Sequence, residues 1–167
     1  MPIAFLVVSS KGGVSLLPVD QSANTTLDKA VSYTHLGATG LVLPERNWMS
    51  AAGTVIKASA GASERIKTAV CGNLKDFLLH AKAAGLAVLC AERKDAVPLY
   101  EQRLDGPLLL AVGGEKRGVS KTVFDLADRK VYIPYGRDFR NSLSASAACA
   151  VFAFEIYRQR NSKKRTG

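Results

Sequence analysis

A glutamate set among glycines at the end of an apolar run is the most suggestive chemical feature of this chain. The segment Leu108-Leu-Leu-Ala-Val-Gly113-Gly114-Glu115-Lys-Arg-Gly118 reads as a buried strand stopping in a sharp turn. Small residues at such a turn let a ligand approach the backbone closely. Glu115 is badly placed for packing, so it is either exposed or held by a cation. Further along, Val131-Tyr-Ile133-Pro134-Tyr135-Gly136 leaves a second strand, and Asn141-Ser142-Leu143-Ser144 opens an alanine-rich helix. Serines at a helix start satisfy free N–H groups. For Ser142 and Ser144, capping and a functional role both stay open. Each stretch by itself is a weak signal.

Other candidate chemistry is weaker. Ala4 to Val14 contains a strand followed by Lys11-Gly12-Gly13, the opening of a ParA/MinD-type phosphate loop. The Gly-Lys-Thr part that would hold the β-phosphate and magnesium is missing, and Pro18 opposes a helix there. A Gly-Gly turn after a strand is the better reading. Cys71, Cys90 and Cys149 form no CxxC pair, so neither a disulfide framework nor a zinc site is expected. All three are expected to be buried, reduced and structural. His35 and His80 lie in helical stretches without a cysteine or carboxylate at ligand spacing and read as surface or packing residues. Trp48 reads as buried rather than as a base-stacking group.

The elements that would position these residues alternate apolar runs with helical stretches. Strands are expected at Ile3–Val8, Gly40–Leu43, Leu86–Cys90, Pro107–Val112 and Lys130–Ile133. Helices are expected at Thr26–His35, Ala51–Ser63, Asn73–Ala84, Val119–Ala127 and Ser142–Arg160. In the third of these, Leu74, Phe77, Leu78 and Ala81 recur at helical spacing, Asn73 is a candidate N-cap, and Gly85 ends it. Wholly apolar strands separated by helices predict an α/β fold with a parallel sheet covered by helices on both faces.

The 167 residues fit one domain, expected over 1–160, followed by a basic tail over 161–167. Hydrophobic residues at 47% allow a sizeable core. No apolar run reaches the roughly 18 residues of a membrane span, so no membrane partner is expected and the cytoplasm or an organelle matrix, such as the mitochondrial one, is the default. The Ile3–Val8 run is too short for a signal-peptide core. A net charge of +9 favours a polyanionic partner, nucleic acid above all.

The combination and order of these stretches resemble the SpoU/TrmH methyltransferases of the SPOUT class. Their second motif, apolar strand then Gly-x-Glu-x-x-Gly, is matched by Gly113-Gly-Glu115-Lys-Arg-Gly118. Their third, Ile-Pro-Met, a short loop, then Ser-Leu-Asn and a helix ending in Glu, is matched by Ile133-Pro134-Tyr135, Ser142-Leu143-Ser144 and Glu155. Gly40-Leu-Val-Leu-Pro-Glu45 and Lys57-Ala-Ser-Ala-Gly-Ala-Ser-Glu64 look like the region after motif one. Gly85 to Cys90 with Pro98-Leu-Tyr100 fits the middle. The likeness spans about Gly37 to Arg160.

The resemblance implies a deep C-terminal trefoil knot, a rare exception to the no-threading rule, and metal-free 2′-O-ribose methylation of RNA from S-adenosylmethionine. The loops implied to hold the cofactor are those at Cys90 and Ala91, at Gly113, Gly114 and Gly118, and at Ile133, Tyr135 and Leu143. The implied catalytic set is Asn24, Glu115, Ser142 and Ser144, with Lys29 as a candidate to stand in for the motif-one arginine. The family's motif-one arginine falls on Ala30 or Val31, with Lys29 adjacent but turned about 100° away on a helix. Methionine is replaced by Tyr135 and asparagine by Ser144. The loop before Ser142 is one residue longer than the pattern and carries Arg137 and Arg140. Those arginines, with Lys163, Lys164 and Arg165, are the expected RNA contacts. The chain is therefore either a diverged active enzyme or an inactive RNA-binding or ribosome-assembly protein. It is read as a minimal member, a fragment or half of a heterodimer. The family also implies a homodimer, or a heterodimer with a paralogue, and an RNA that is ribosomal rather than transfer RNA by a slight lean of the 57–64 stretch.

Overall fold

A computed structural model of the chain describes residues 4–8, 38–44, 67–113, 118–137 and 143–162. The elements, in chain order, are β1 Ala4–Val8, β2 Gly40–Pro44, β3 Thr68–Cys71, α1 Leu74–Ala83, β4 Ala87–Ala91, β5 Val97–Pro98, a 3-10 turn Leu99–Glu101, β6 Leu108–Val112, α2 Lys121–Leu126, β7 Arg129–Tyr132 and α3 Ala145–Ser162. The helices expected at 26–35 and 51–63, with Trp48 and His35, lie outside the described residues, as does the Lys11–Gly13 turn.

The described strands form one sheet in the order β3-β2-β1-β6-β4-β7-β5. β2 and β3 pair in parallel, and so do β6, β4, β7 and β5 in succession. The expected parallel sheet is present with one departure: β1 runs antiparallel to both of its neighbours, β2 and β6. A continuous apolar run reflects burial more than strand direction, so the expectation of parallel strands does not hold for β1.

β6 shows how the two faces are filled. All five of its residues are buried, and they alternate between two cores as a strand requires. Leu108, Leu110 and Val112 face Leu89, Val131 and the α3 residues Cys149, Phe152, Ala153 and Ile156. Leu109 and Ala111 face Val88, Cys90, Leu78 and Ala81 of α1, and Val123 of α2. Helices thus cover both faces. The α3 residues recur at i, i+3, i+4 and i+7, one stripe of a helix.

Local signals explain the element ends. The Asn73 side chain accepts from the N–H groups of Lys75 and Asp76, capping α1. Gly85, with φ +82°, closes it: Leu86 N–H donates to Ala81 O and Gly85 N–H to Lys82 O, the paired bonds of a Schellman end. Ser120 caps α2, which begins at Lys121, so the expected start at Val119 is part of the approach to the helix. α3 begins at Ala145 and runs past Arg160 to Ser162. β3 and β5 were not expected. Each is short, and each is a strand because it pairs with a distant neighbour rather than because of its own pattern. The segments on which a knot would depend, 114–117 and 138–142, lie outside the described residues. Cys90 and Cys149 are buried, and Cys71 is half-buried. His80 is exposed, its Nδ1–H donating to the Asp76 carbonyl at 2.7 Å.

Candidate functional site

The three sequence-distant stretches of the candidate site leave the same edge of the sheet. β6, β4 and β7 are adjacent and parallel, and Ala91 stands opposite both Val112 and Val131. Their carboxyl ends are therefore level, and the loops starting at Glu92, Gly113 and Ile133 emerge side by side. Ligands of open parallel sheets bind at this edge, where chain directions leave a crevice.

Cys90 and Ala91 are still within β4, so the loop begins at Glu92. The Cys90 side chain lies in the core. Burial, reinforced by the negative charge of Glu92 and only partly offset by Lys130, pushes its thiol up to about 12. It stays protonated at neutral pH and is no nucleophile. Cys90 and Ala91, expected in the loop, are instead strand residues paired with β6 on one side and β7 on the other.

The two described glycines of the second loop have different reasons. A Cβ on Gly113 would run into the backbone of Gly118 and Val119. The close neighbour that Gly113 admits is this loop's own return, a contact between positions that their spacing did not announce. Gly118 holds φ +61°, in the left-handed region that glycine adopts without strain. The two ends of the loop, Gly113 and Gly118, are in close contact, with the Glu92 carboxylate facing Gly118. Gly114 and Glu115 lie outside the described residues.

The third loop is tied to the other parts of the site. The Tyr135 hydroxyl accepts from Leu143 N–H at 3.0 Å. The Arg93 guanidinium lies over the Tyr135 ring, 5.2 Å from its centroid. Leu143 is 40% exposed although large and apolar. The Ser144 hydroxyl accepts from Ala147 N–H at 3.2 Å, so it caps α3. Arg137 is exposed on the rim of the same loop.

The structure thus gathers Cys90, Ala91, Gly113, Gly118, Ile133, Tyr135, Leu143 and Ser144 around one sheet edge. Asn24, Lys29, Ser142, Arg140, Lys163, Lys164 and Arg165 lie outside the described residues. Glu92 and Arg93 were not singled out from the sequence. Their only local signal is a pair of charges directly after a buried strand. The partner that gives Arg93 its meaning, Tyr135, is far along the chain.

Among the described residues no helix is long and apolar enough to cross a membrane. Several large apolar side chains are exposed on the outer side of α3 and its neighbour: Tyr100 at 56%, Phe154 at 57% and Tyr157 at 42%. Tyr100 and Phe154, with Ala150 and Val151, line a shallow groove edged by Glu155 and Arg158.

Comparison with known proteins bears on this arrangement. Residues 30–154 match the SpoU rRNA Methylase family. The chain is 33% identical over 125 residues to a protein of Staphylococcus haemolyticus named for the TrmH family of tRNA/rRNA methyltransferases, covering 75% of this chain and 50% of that one. It spans about half the length of the curated relatives it matches. The fold is similar to that of the A. aeolicus TrmH/SpoU tRNA modifying enzyme, with a TM-score of 0.73 and 25% identity over 82% of this chain and 69% of that one. It is also similar to that of the SpoU methyltransferase AviRb of Streptomyces viridochromogenes, whose structure contains the cofactor AdoMet. There the TM-score is 0.69 and the identity 24%, covering 81% of this chain and 55% of that one.

Proposed function

Because this chain belongs to the SpoU rRNA methylase family, we propose that it is an RNA 2′-O-ribose methyltransferase domain using S-adenosylmethionine. Ribosomal RNA is the favoured substrate and transfer RNA the alternative. The observation that carries this reading is the level emergence of the loops after β4, β6 and β7 from one carboxyl edge of the sheet. These are the loops that the resemblance assigns to the cofactor.

The residues present fit an adenosyl group. Ile133 and the exposed Leu143 offer apolar surface, and Glu92, Gly113, Gly118 and the 133–136 segment bring loop backbone to the same edge. When bound, the cofactor supplies a methyl carbon activated by a sulfonium. The chain must hold the ribose hydroxyl in line and help remove its proton. Asn24, Glu115, Ser142 and Ser144 are the proposed positioning groups. Lys29, Arg137 and Arg140 are the candidates to stand in for the missing motif-one arginine. Of these, only Arg137 lies among the described residues, exposed in the loop after β7.

A homodimer completes the proposal. The family expectation is supported by the exposed apolar surface of Tyr100, Val151, Phe154 and Tyr157, of the kind that marks protein contacts. Light scattering at micromolar concentration should give twice the chain mass.

The test of activity is incorporation of labelled methyl from S-adenosylmethionine into total ribosomal and transfer RNA. Incorporation at ribose 2′ positions, lowered by alanine at Arg137, Arg140 or Lys29, is the expected result. Turnover that survives alanine at all three would overturn the assignment of these cations. A second reading is favoured by Ala30 and Val31 at the arginine position. In it the protein binds cofactor and RNA without methyl transfer, and calorimetric binding with no incorporation would select it.

A further inference from the structure

We propose that Tyr135 is a positioning residue of the cofactor site, locking the loop after β7 both to the loop after β4 and to the start of α3. This rests on the reading of the sheet edge as the cofactor site. Two contacts carry it. The Tyr135 hydroxyl holds the Leu143 amide at 3.0 Å, and the Tyr135 ring carries the Arg93 guanidinium at 5.2 Å. Through one side chain, segments separated in sequence by Gly136 to Ser142 on one side and by β6, α2 and β7 on the other are held together.

The device depends on the chemistry of tyrosine. A rigid ring presents a π face to a cation and a hydroxyl at its far end to an amide. The methionine of the family pattern has a flexible stem and a thioether that accepts only weakly. A methionine therefore could not hold Leu143 N–H and Arg93 together. Leu143 is an exposed apolar residue of the site and lies just before α3, which starts at Ala145. Without Tyr135 the Leu143 segment would have to be ordered when the cofactor binds, at a cost in affinity. Holding that segment beforehand is what a positioning residue does.

The experiment uses the full chain and calorimetric titration with S-adenosylmethionine and S-adenosylhomocysteine, alongside thermal melting and amide exchange at Leu143. Tyr135→Phe removes the hydroxyl and keeps the ring. Its dissociation constants for both ligands should rise about three- to tenfold, the worth of one hydrogen bond. The melting midpoint should stay at the wild-type value, and Leu143 exchange should quicken. Arg93→Ala should weaken binding by a smaller factor, about two- to fivefold. Wild-type binding with an unchanged constant in Tyr135→Phe would overturn the positioning role alone. A lowered melting midpoint with unchanged affinity would do the same, by making the contact merely structural. Absence of binding in the wild type would instead remove the cofactor reading, and the role of Tyr135 with it.

Discussion

The same three strands, β4, β6 and β7, are held by different kinds of contact at their two ends. At their amino ends, Val88 N–H donates to Asp128 Oδ2 and Asp128 N–H to Val88 O, each at 2.8 Å. The Lys82 ammonium bonds Asp128 at 2.7 Å and the Leu126 carbonyl at 3.0 Å, joining α1 to the end of α2. Gln159 of α3 accepts from Leu104 N–H and donates to Gln102 O, while Arg160 donates to Gly106 O. At the carboxyl ends, the described ties are a tight glycine turn, one backbone bond from Glu92 to Val131, and the Arg93–Tyr135–Leu143 contacts. Among the described residues, side-chain bridges between elements concentrate at the amino ends, away from the edge where the ligand is expected.

The most damaging way to test this contrast is at the glycine turn. Gly113→Val should lower stability by about 3 kcal/mol or more, since backbone rather than a flexible side chain must move. It should also abolish S-adenosylmethionine binding. A variant that melts and binds like the wild type would show that the turn is not closed as described.

A change at the amino ends should separate stability from binding. Asp128→Ala leaves the Val88 N–H and the Lys82 ammonium without their carboxylate and should cost about 2 kcal/mol. Cofactor affinity, measured by calorimetry below the new melting temperature, should be unchanged. If affinity falls in step with stability, the two ends are coupled and the contrast fails. Asp128 also predicts a pH dependence. Burial by itself would raise its carboxyl, but the bonds to Lys82 and Val88 N–H and the charges of Lys82 and Arg129 overcome this and hold it below the usual range. A depressed carboxylate stabilises the fold fully above its unfolded value, near about pH 4, and that contribution is lost as pH falls through the lower folded value. Denaturant midpoints measured from neutral pH into the acid range should fall less steeply in Asp128→Asn than in the wild type.

Smaller effects should follow from side-chain bridges. Gln159→Ala removes two bonds to the 102–104 segment and one to Glu155, and should cost about 1–2 kcal/mol in urea unfolding. Lys121→Ala breaks an exposed pair with Asp125 on α2 and should cost under about 0.5 kcal/mol. A larger loss there would mean that α2 depends on its surface charges more than on Val123 and its cap.

Elements with their own periodicity or punctuation were legible from the chain. α1 was bounded by Asn73 and Gly85, and β4 and β6 announced themselves as apolar runs. The glycines and serines marked the loops after β6 and β7 as the candidate site only through their combined resemblance to the SpoU/TrmH motifs. Glu92 and Arg93 were not legible, because their significance lies in partners that the sheet brings to them.

What the sequence determined by itself was therefore the set of local choices: which segments are buried, where helices are capped, and which turns tolerate only small residues. Those choices depend on neighbours within a few positions. Only the tertiary structure decided that β1 runs against its neighbours, that Gly113 is needed by the backbone of Gly118 and Val119, and that Arg93, Tyr135 and Leu143 meet. Strand direction, loop return and ring contact are relations between distant parts of the chain. Apolar burial is non-directional and does not encode them; the hydrogen-bond register of the assembled sheet does.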